Sequence, residues 1–213
     1  MSPTNIPVVK VRPGSAVSQV AAQAGLKLNY ARLFDNSSIA IESPVQIRYD
    51  DPEHAFDLPP ARFVWLPQRA GVVTGVEATP VLAYADLESA HKVALLVQER
   101  LSEAHWTPVS SFPKDLASAQ RAFAKQPPGE EMSRIYSKWQ VGPTTAEVYV
   151  KRHADTQAKA AGRAPTELYL PSVDIMDWAL VKELDEKVFS RRRAVSGSIN
   201  KSLPLSVWMN DQR

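Results

Sequence analysis

The clearest alternation of hydrophobic and polar positions lies between Gly71 and Trp106. An apolar, β-branched stretch from Val72 to Leu82 is typical of a buried strand. Asp86 follows, and its carboxylate can accept hydrogen bonds from the free amides that begin a helix. The stretch therefore predicts a strand and then a helix of about five turns ending near Trp106. Apolar residues recur there at helical spacing: Leu87, Ala90, Ala94, Val97, Leu101 and Ala104.

Weaker patterns on either side predict the remaining elements. Ser15 can cap a short helix that ends at Gly25, a residue favoured where a helix terminates in a left-handed turn. Further helices are predicted over 115–125 and 175–189, and strands over 26–30, 39–47, 62–67, 135–139, 144–150 and 166–170. This order of elements indicates an α+β fold, with an antiparallel or mixed sheet and helices packed on one face.

The domain organisation is predicted from one break in the pattern. Residues 50–60 contain several aspartate and proline residues and are the strongest candidate for a boundary. We therefore predict a small helix–strand subdomain over 1–50, a main α+β domain over 61–190 and a loosely structured tail over 191–213.

Composition excludes several classes of function. The chain has 213 residues, of which 44% are hydrophobic and 23% charged, as in an ordinary soluble globular protein. Its net charge of +2 argues against bulk electrostatic binding of nucleic acid. No apolar run approaches the length of a membrane span. The absence of cysteine excludes disulfides, thiolate catalysis and cysteine-ligated metals, and leaves both an envelope and a cytoplasmic location open.

Candidate catalytic groups are few. The four histidines lack the spacing of a zinc site, and neither a nucleophile elbow nor a phosphate-binding loop is present, so we predict no metal and no cofactor. His153 and Asp155, with Glu147 on the preceding strand, form the set that a small hydrolase-type enzyme would use. The same residues make an ordinary solvated strand end, which is the interpretation that we favour.

Candidate binding residues lie near the C-terminus. Trp208 and Leu205 form part of an apolar cluster in a polar tail, and such clusters often contact a partner protein. Arg191, Arg192 and Arg193 follow the predicted terminal helix and give the alternative of an anion-binding module. Cations at a helix C-terminus are also favoured by the helix dipole alone.

Residues 16–30 resemble a known family. The segment Ala-Val-Ser-Gln-Val-Ala-Ala-Gln-Ala-Gly-Leu-Lys-Leu-Asn-Tyr is similar to the helix and strand of the small periplasmic N-terminal domain of secretins and TonB-dependent signalling receptors. The resemblance implies a helix packed on a small sheet that contacts other envelope proteins. The strand and second helix that usually follow in that family are not evident here.

These observations favour a non-catalytic protein of the bacterial cell envelope, in the periplasm, that acts by binding another protein. Two versions stay open, a component of a secretion or pilus machine and an immunity protein that neutralises a toxin. The alternatives from other classes are the hydrolase-type enzyme and the anion-binding module. The sequence leaves the oligomeric state open.

Overall fold

The computed structural model describes residues 6–25, 38–41, 43–111, 115–125, 127, 130–153, 160, 162 and 166–196. The named elements follow in chain order: β1 (Val8–Val11), α1 (Val17–Gln23), β2 (Ser38–Ile41), β3 (Gln46–Tyr49), β4 (Phe56–Asp57), β5 (Phe63–Arg69), β6 (Val72–Val73), β7 (Gly75–Thr79), α2 (Leu87–Glu103), β8 (Thr107–Ser111), α3 (Leu116–Phe123), β9 (Met132–Val141), β10 (Thr144–His153), β11 (Leu168–Asp177) and α4 (Trp178–Ser196).

A large antiparallel sheet forms the centre of the molecule. Its strands lie in the order β2-β5-β7-β11-β10-β9-β8, with β6 paired to β5, and every neighbouring pair is antiparallel. The predicted α+β class is therefore confirmed. None of the helices in the described part of the chain is long and apolar enough to cross a lipid bilayer.

A second, small sheet joins β1, β3 and β4, with β1 and β3 parallel. Helix α1 packs beside β1. Strand β2 belongs to the same N-terminal stretch but pairs with β5 of the large sheet. Buried residues of both sheets, such as Val9 and Ile47 in the small one and Val148 in the large one, belong to one apolar cluster. The two sheets thus share a continuous core.

Helices α2 and α3 cover one face of the large sheet, and both begin as their sequences predict. The carboxylate of Asp86 accepts a hydrogen bond from Ser89 N at 2.7 Å, and Asp115 accepts one from Ser118 N at 2.7 Å. Helix α2 lies on β10 and β11 and buries its predicted stripe, including Val97 and Leu101. Each large side chain buried in this way stabilises the fold by about 1.5–3 kcal/mol. The central helix is thus confirmed.

The hairpin of β9 and β10 forms around Gly142, whose positive φ of 52° suits glycine. Both strands are ten residues long and extend beyond the predicted ranges at each end. The predicted strand over 39–47 instead forms β2 and β3, which lie in different sheets. The strand predicted over 26–30 lies outside the described residues.

Two local predictions were wrong. Ser15 does not cap α1, since Ala16 holds the N-cap position without a side-chain bond, and the Ser15 hydroxyl accepts from Arg12 N at 3.3 Å instead. The strand predicted from Val72 to Leu82 is interrupted at Thr74 and ends at Thr79.

The end of the chain also differs from its prediction. Residues 175–177 belong to β11, and helix α4 starts at Trp178 and continues to Ser196. Strand β11 is paired on both sides, by β7 and β10, so backbone hydrogen bonds favour the extended form there. The Asp177 carboxylate then accepts from Leu180 N at 2.8 Å and begins the helix. Residues 191–193 consequently lie in α4 rather than in a loose tail.

Candidate functional site

Helix α4 exposes two large aromatic side chains. Trp178 is 61% exposed and Phe189 is 52% exposed. They are eleven residues apart, which is about three helical turns, so both lie on one side of the helix. An ion pair between Arg69 Nε and Asp185 Oδ1, at 3.2 Å, ties α4 to β5. The helix also carries half-buried apolar side chains, at Leu180, Val181, Leu184 and Val188.

The residues predicted to bind a partner lie mostly outside the described part of the chain. The backbones of Arg191, Arg192 and Arg193 lie in the last turns of α4, and their side chains lie outside the described part of the chain. Leu205 and Trp208 also lie outside it. Their role in binding stays a prediction.

The two residues of the hydrolase alternative that the structure describes, Glu147 and His153, are not brought together. Glu147 and His153 are on the same side of β10 but six residues apart, which separates them by about 20 Å along the strand. Glu147 is bonded to Lys138 Nζ at 2.6 Å. The His153 ring packs edge-on against Tyr84, with 5.3 Å between centroids. Asp155 lies outside the described residues.

A row of charged side chains, which the sequence did not reveal, crosses the sheet face opposite α2. Strand pairing places Glu77 beside Asp174, Asp174 beside Glu147, and Glu147 beside Lys138. We call these four residues the polar row. They come from four strands, of which only β9 and β10 are neighbours in sequence, so the pairing register is needed to reveal the row. Among the described residues, no group of three or more potential ligands is arranged to hold a metal ion.

The polar row leaves its central carboxylate without a counter-ion. Glu147 pairs with Lys138 at 2.6 Å, and Glu77 pairs with Lys151 at 3.3 Å. Asp174 has no ion pair within the described residues, and its Oδ1 is buried without a hydrogen-bond partner there. Burial, and then the negative charges of Glu77 and Glu147, raise the pKa of Asp174 to about 6, while Lys151 lowers it.

Tyr149 completes this side of the sheet. Its hydroxyl donates a hydrogen bond to Glu77 Oε1 at 2.9 Å. Burial raises the pKa of Tyr149, and the adjacent Glu77 carboxylate raises it further, so the phenol stays neutral and donates.

A cleft of about 520 Å³ opens between the small sheet and the β9–β10 hairpin. We call it the junction cleft; it is lined by residues 12–14, 51–54 and 141–144 together with Tyr49 and Asp177. Its volume is in the range of small-molecule sites. Three separate turns build it, which is why no single sequence motif predicted it.

The lining of the junction cleft is held by specific contacts. The Tyr49 side chain is buried and packs on Trp106 with 5.3 Å between ring centroids. His54 Nδ1 lies 3.0 Å from Ala104 O at the end of α2. Because a carbonyl only accepts, Nδ1 carries a proton and donates to it.

Comparison of the chain with protein-family models, with curated proteins and with solved structures found no significant match.

Proposed function

We propose that this chain is a non-catalytic protein of the bacterial cell envelope that acts by binding another protein, with α4 as the binding element. The observation that carries the proposal is the exposure of Trp178 and Phe189, at 61% and 52%, on one side of α4. Large aromatic side chains are enriched among the residues that dominate binding energy at protein interfaces. Two of them on one side of a helix favour docking in an apolar groove of a partner.

The rest of α4 suits the same role. Its half-buried apolar stripe and the ion pair of Asp185 with Arg69 fix the helix to the domain. Binding would therefore require little ordering of this segment, which lowers the entropic cost of association. The arginines at 191–193 extend the same helix and would add charge complementarity toward an acidic partner surface.

The envelope location is supported by the resemblance of residues 16–30 to periplasmic domains of secretins and signalling receptors. Within that segment, α1 (Val17–Gln23) is a helix on a small sheet, and Gly25 has the positive φ, 66°, expected of a helix terminator. Both a component of a secretion or pilus machine and a toxin-neutralising immunity protein fit a binding helix of this kind. A cytoplasmic location is the alternative.

The test is an affinity capture from the native host, with envelope and cytosolic extracts run separately. The full chain serves as bait, and the captured partner is then purified for titration. We expect a stoichiometric partner from the envelope extract, and at least about a tenfold weaker Kd for Trp178→Ala/Phe189→Ala, as for aromatic hot spots. The control, Leu82→Ala/Leu95→Ala, changes two other exposed apolar residues and should keep the wild-type Kd.

Two further variants test the predicted C-terminal residues. Removal of 197–213 reports on Leu205 and Trp208, and a triple Arg→Gln change at 191–193 reports on the basic run. Wild-type affinity in the Trp178→Ala/Phe189→Ala variant would contradict the role of α4. A partner captured only from the cytosolic extract would contradict the envelope location.

A further inference from the structure

The junction cleft contains charges of both signs that do not pair with each other. Arg12 lies on one of its segments, and Asp51, Glu53 and Asp177 lie on others. Within the described part of the chain, no ion pair joins Arg12 to any of these carboxylates. A cation and carboxylates that share a cleft without contact leave room for a ligand that carries both complementary charges.

Hydrogen bonds hold two of these carboxylates, Asp51 and Asp177, in place, and each can still accept a further hydrogen bond. Asp51 Oδ1 accepts from the backbone N–H groups of Glu53 and His54, each at 3.0 Å. Asp177 Oδ1 accepts from Leu180 N at 2.8 Å. The described hydrogen bonds use only Oδ1 in both residues, so Oδ2 of each stays available to a donor.

The buried Tyr49 places its hydroxyl among these groups. The side chain is 3% exposed. Burial raises the pKa of Tyr49, a hydrogen bond with the Thr144 side chain lowers it, Asp51 and Asp177 raise it, and Arg12 lowers it. Positively and negatively charged side chains therefore both shift the pKa of this one neutral hydroxyl.

We propose that the junction cleft binds a small zwitterion of the amino-acid class, with its carboxylate on Arg12 and its α-ammonium group on Asp51 and Asp177. Thr144 and His54 are further polar residues that line the cleft. Three carboxylates against one guanidinium give the cleft a negative excess, which favours a basic amino acid over a neutral or acidic one. Asp177 directly precedes Trp178 of α4, but the inference rests on the lining of the cleft and not on the proposed protein partner.

The test uses lysine and two analogues that each lack one charge. Nα-acetyl-lysine has no α-ammonium group, and lysinamide has no carboxylate. Binding is followed by NMR at the amides of Gly14 and Gly142, two glycines that line the cleft. We expect saturable shifts with lysine and about tenfold weaker binding of each analogue, the size expected for the loss of one charge-assisted hydrogen bond.

Two variants assign the charges to residues. Arg12→Gln should bind lysine and lysinamide equally and still prefer lysine to Nα-acetyl-lysine. Asp51→Asn keeps an Oδ1 acceptor for the backbone bonds of its turn and leaves Asp177 in place, so it should prefer lysine to Nα-acetyl-lysine by less than the wild type does. The controls Arg62→Gln and Glu99→Gln remove exposed charges outside the cleft and should behave as wild type.

The proposal fails if lysine gives no saturable shift at Gly14 and Gly142 up to about 20 mM, well above the weak end of ordinary small-ligand affinities. It also fails if lysine and both analogues bind with the same Kd, because neither the carboxylate nor the α-ammonium group would then contribute to binding. Equal binding of lysine and lysinamide by the wild-type chain would assign the cleft to a simple cation and overturn the role of Arg12.

Discussion

The two faces of the large sheet are built from alternate residues of the same strands and differ in how they hold charge. On β10, Ala146, Val148 and Val150 lie under the helices and are buried. Glu147 and Lys151 alternate with these residues along the strand and therefore point to the other side of the sheet. Their side chains are 37% and 35% exposed there. One strand thus supplies a dry core on one side and a polar row on the other.

On the helix-covered face, the buried charge of Arg152 is held by fixed acceptors. Among the described residues, Arg152 has the largest side chain that is almost fully buried, at 1% exposed. Its guanidinium donates to three carbonyls at 2.8–3.3 Å and to one carboxylate at 3.1 Å: Glu130 O, Phe123 O, Pro127 O and Glu167 Oε1. These contacts join Phe123, Pro127 and Glu130 to the end of β10.

In the polar row, by contrast, the negative charges are only partly compensated. Neighbouring carboxylates on paired strands repel each other, and two lysines compensate only the outer two. Asp174, in the middle, is left without a cation in the described structure. The comparison indicates that charge is a structural support on the covered face and a source of instability on the other.

The largest effect is expected for Arg152→Met, which removes the buried charge but keeps an apolar stem. Three carbonyls would lose a buried donor, and each buried acceptor left unsatisfied costs about 1–3 kcal/mol. The Glu167 carboxylate is 39% exposed and can be hydrated instead. Urea unfolding measures the free energy of unfolding. Arg121→Met, on the exposed side of α3, is the matched control and should cost below about 0.5 kcal/mol. A loss below about 1 kcal/mol for Arg152→Met would contradict its structural role.

A smaller effect is expected from His91, which α2 buries to 5% exposed with Nδ1 3.4 Å from the Tyr136 hydroxyl. Burial lowers the pKa of His91 from its ordinary 6.5, and the negative charge of Asp115 offsets part of this decrease. The unfolded chain therefore binds a proton before the native state does, and stability falls as pH drops below about 6.5. His91→Leu should flatten that acid-side decline in a series of thermal melts. An unchanged slope would show that other groups cause it.

The smallest effect, with the opposite sign, is expected for Asp174. Its native pKa of about 6 exceeds the ordinary 3.8, so the native state takes up the proton first and stability rises as pH falls through about 6. Asp174→Asn should therefore stabilise the protein by about 1 kcal/mol at pH 7.5, and much less at pH 4.5. Equal effects at both pH values would rule out a charge-based cause.

A second measurement isolates the role of the neighbouring carboxylate. Glu147→Gln removes a negative charge beside Asp174, so it should lower the pKa of Asp174 in an NMR titration of the side-chain carbonyl. A pKa that does not move would mean that Glu147 has no part in raising it.

Local signals were sufficient for the elements that depend on nearby residues. Asp86 and Asp115 bond to amides three residues away, so the starts of α2 and α3 can be read from the sequence. The β9–β10 hairpin was predictable because a turn at Gly142 separates two apolar runs. In each case the interacting groups lie within a few residues of one another.

The features formed by residues distant in sequence were decided by the tertiary structure. The helical spacing after Ile175 predicted a helix, but pairing with β7 and β10 keeps the chain extended to Asp177. The polar row depends on the register of β7, β9, β10 and β11, and the junction cleft depends on how three turns converge. Periodicity records which side of an element is buried. It does not record which other strand or turn lies beside it, because that choice is made by contacts between residues far apart in the chain.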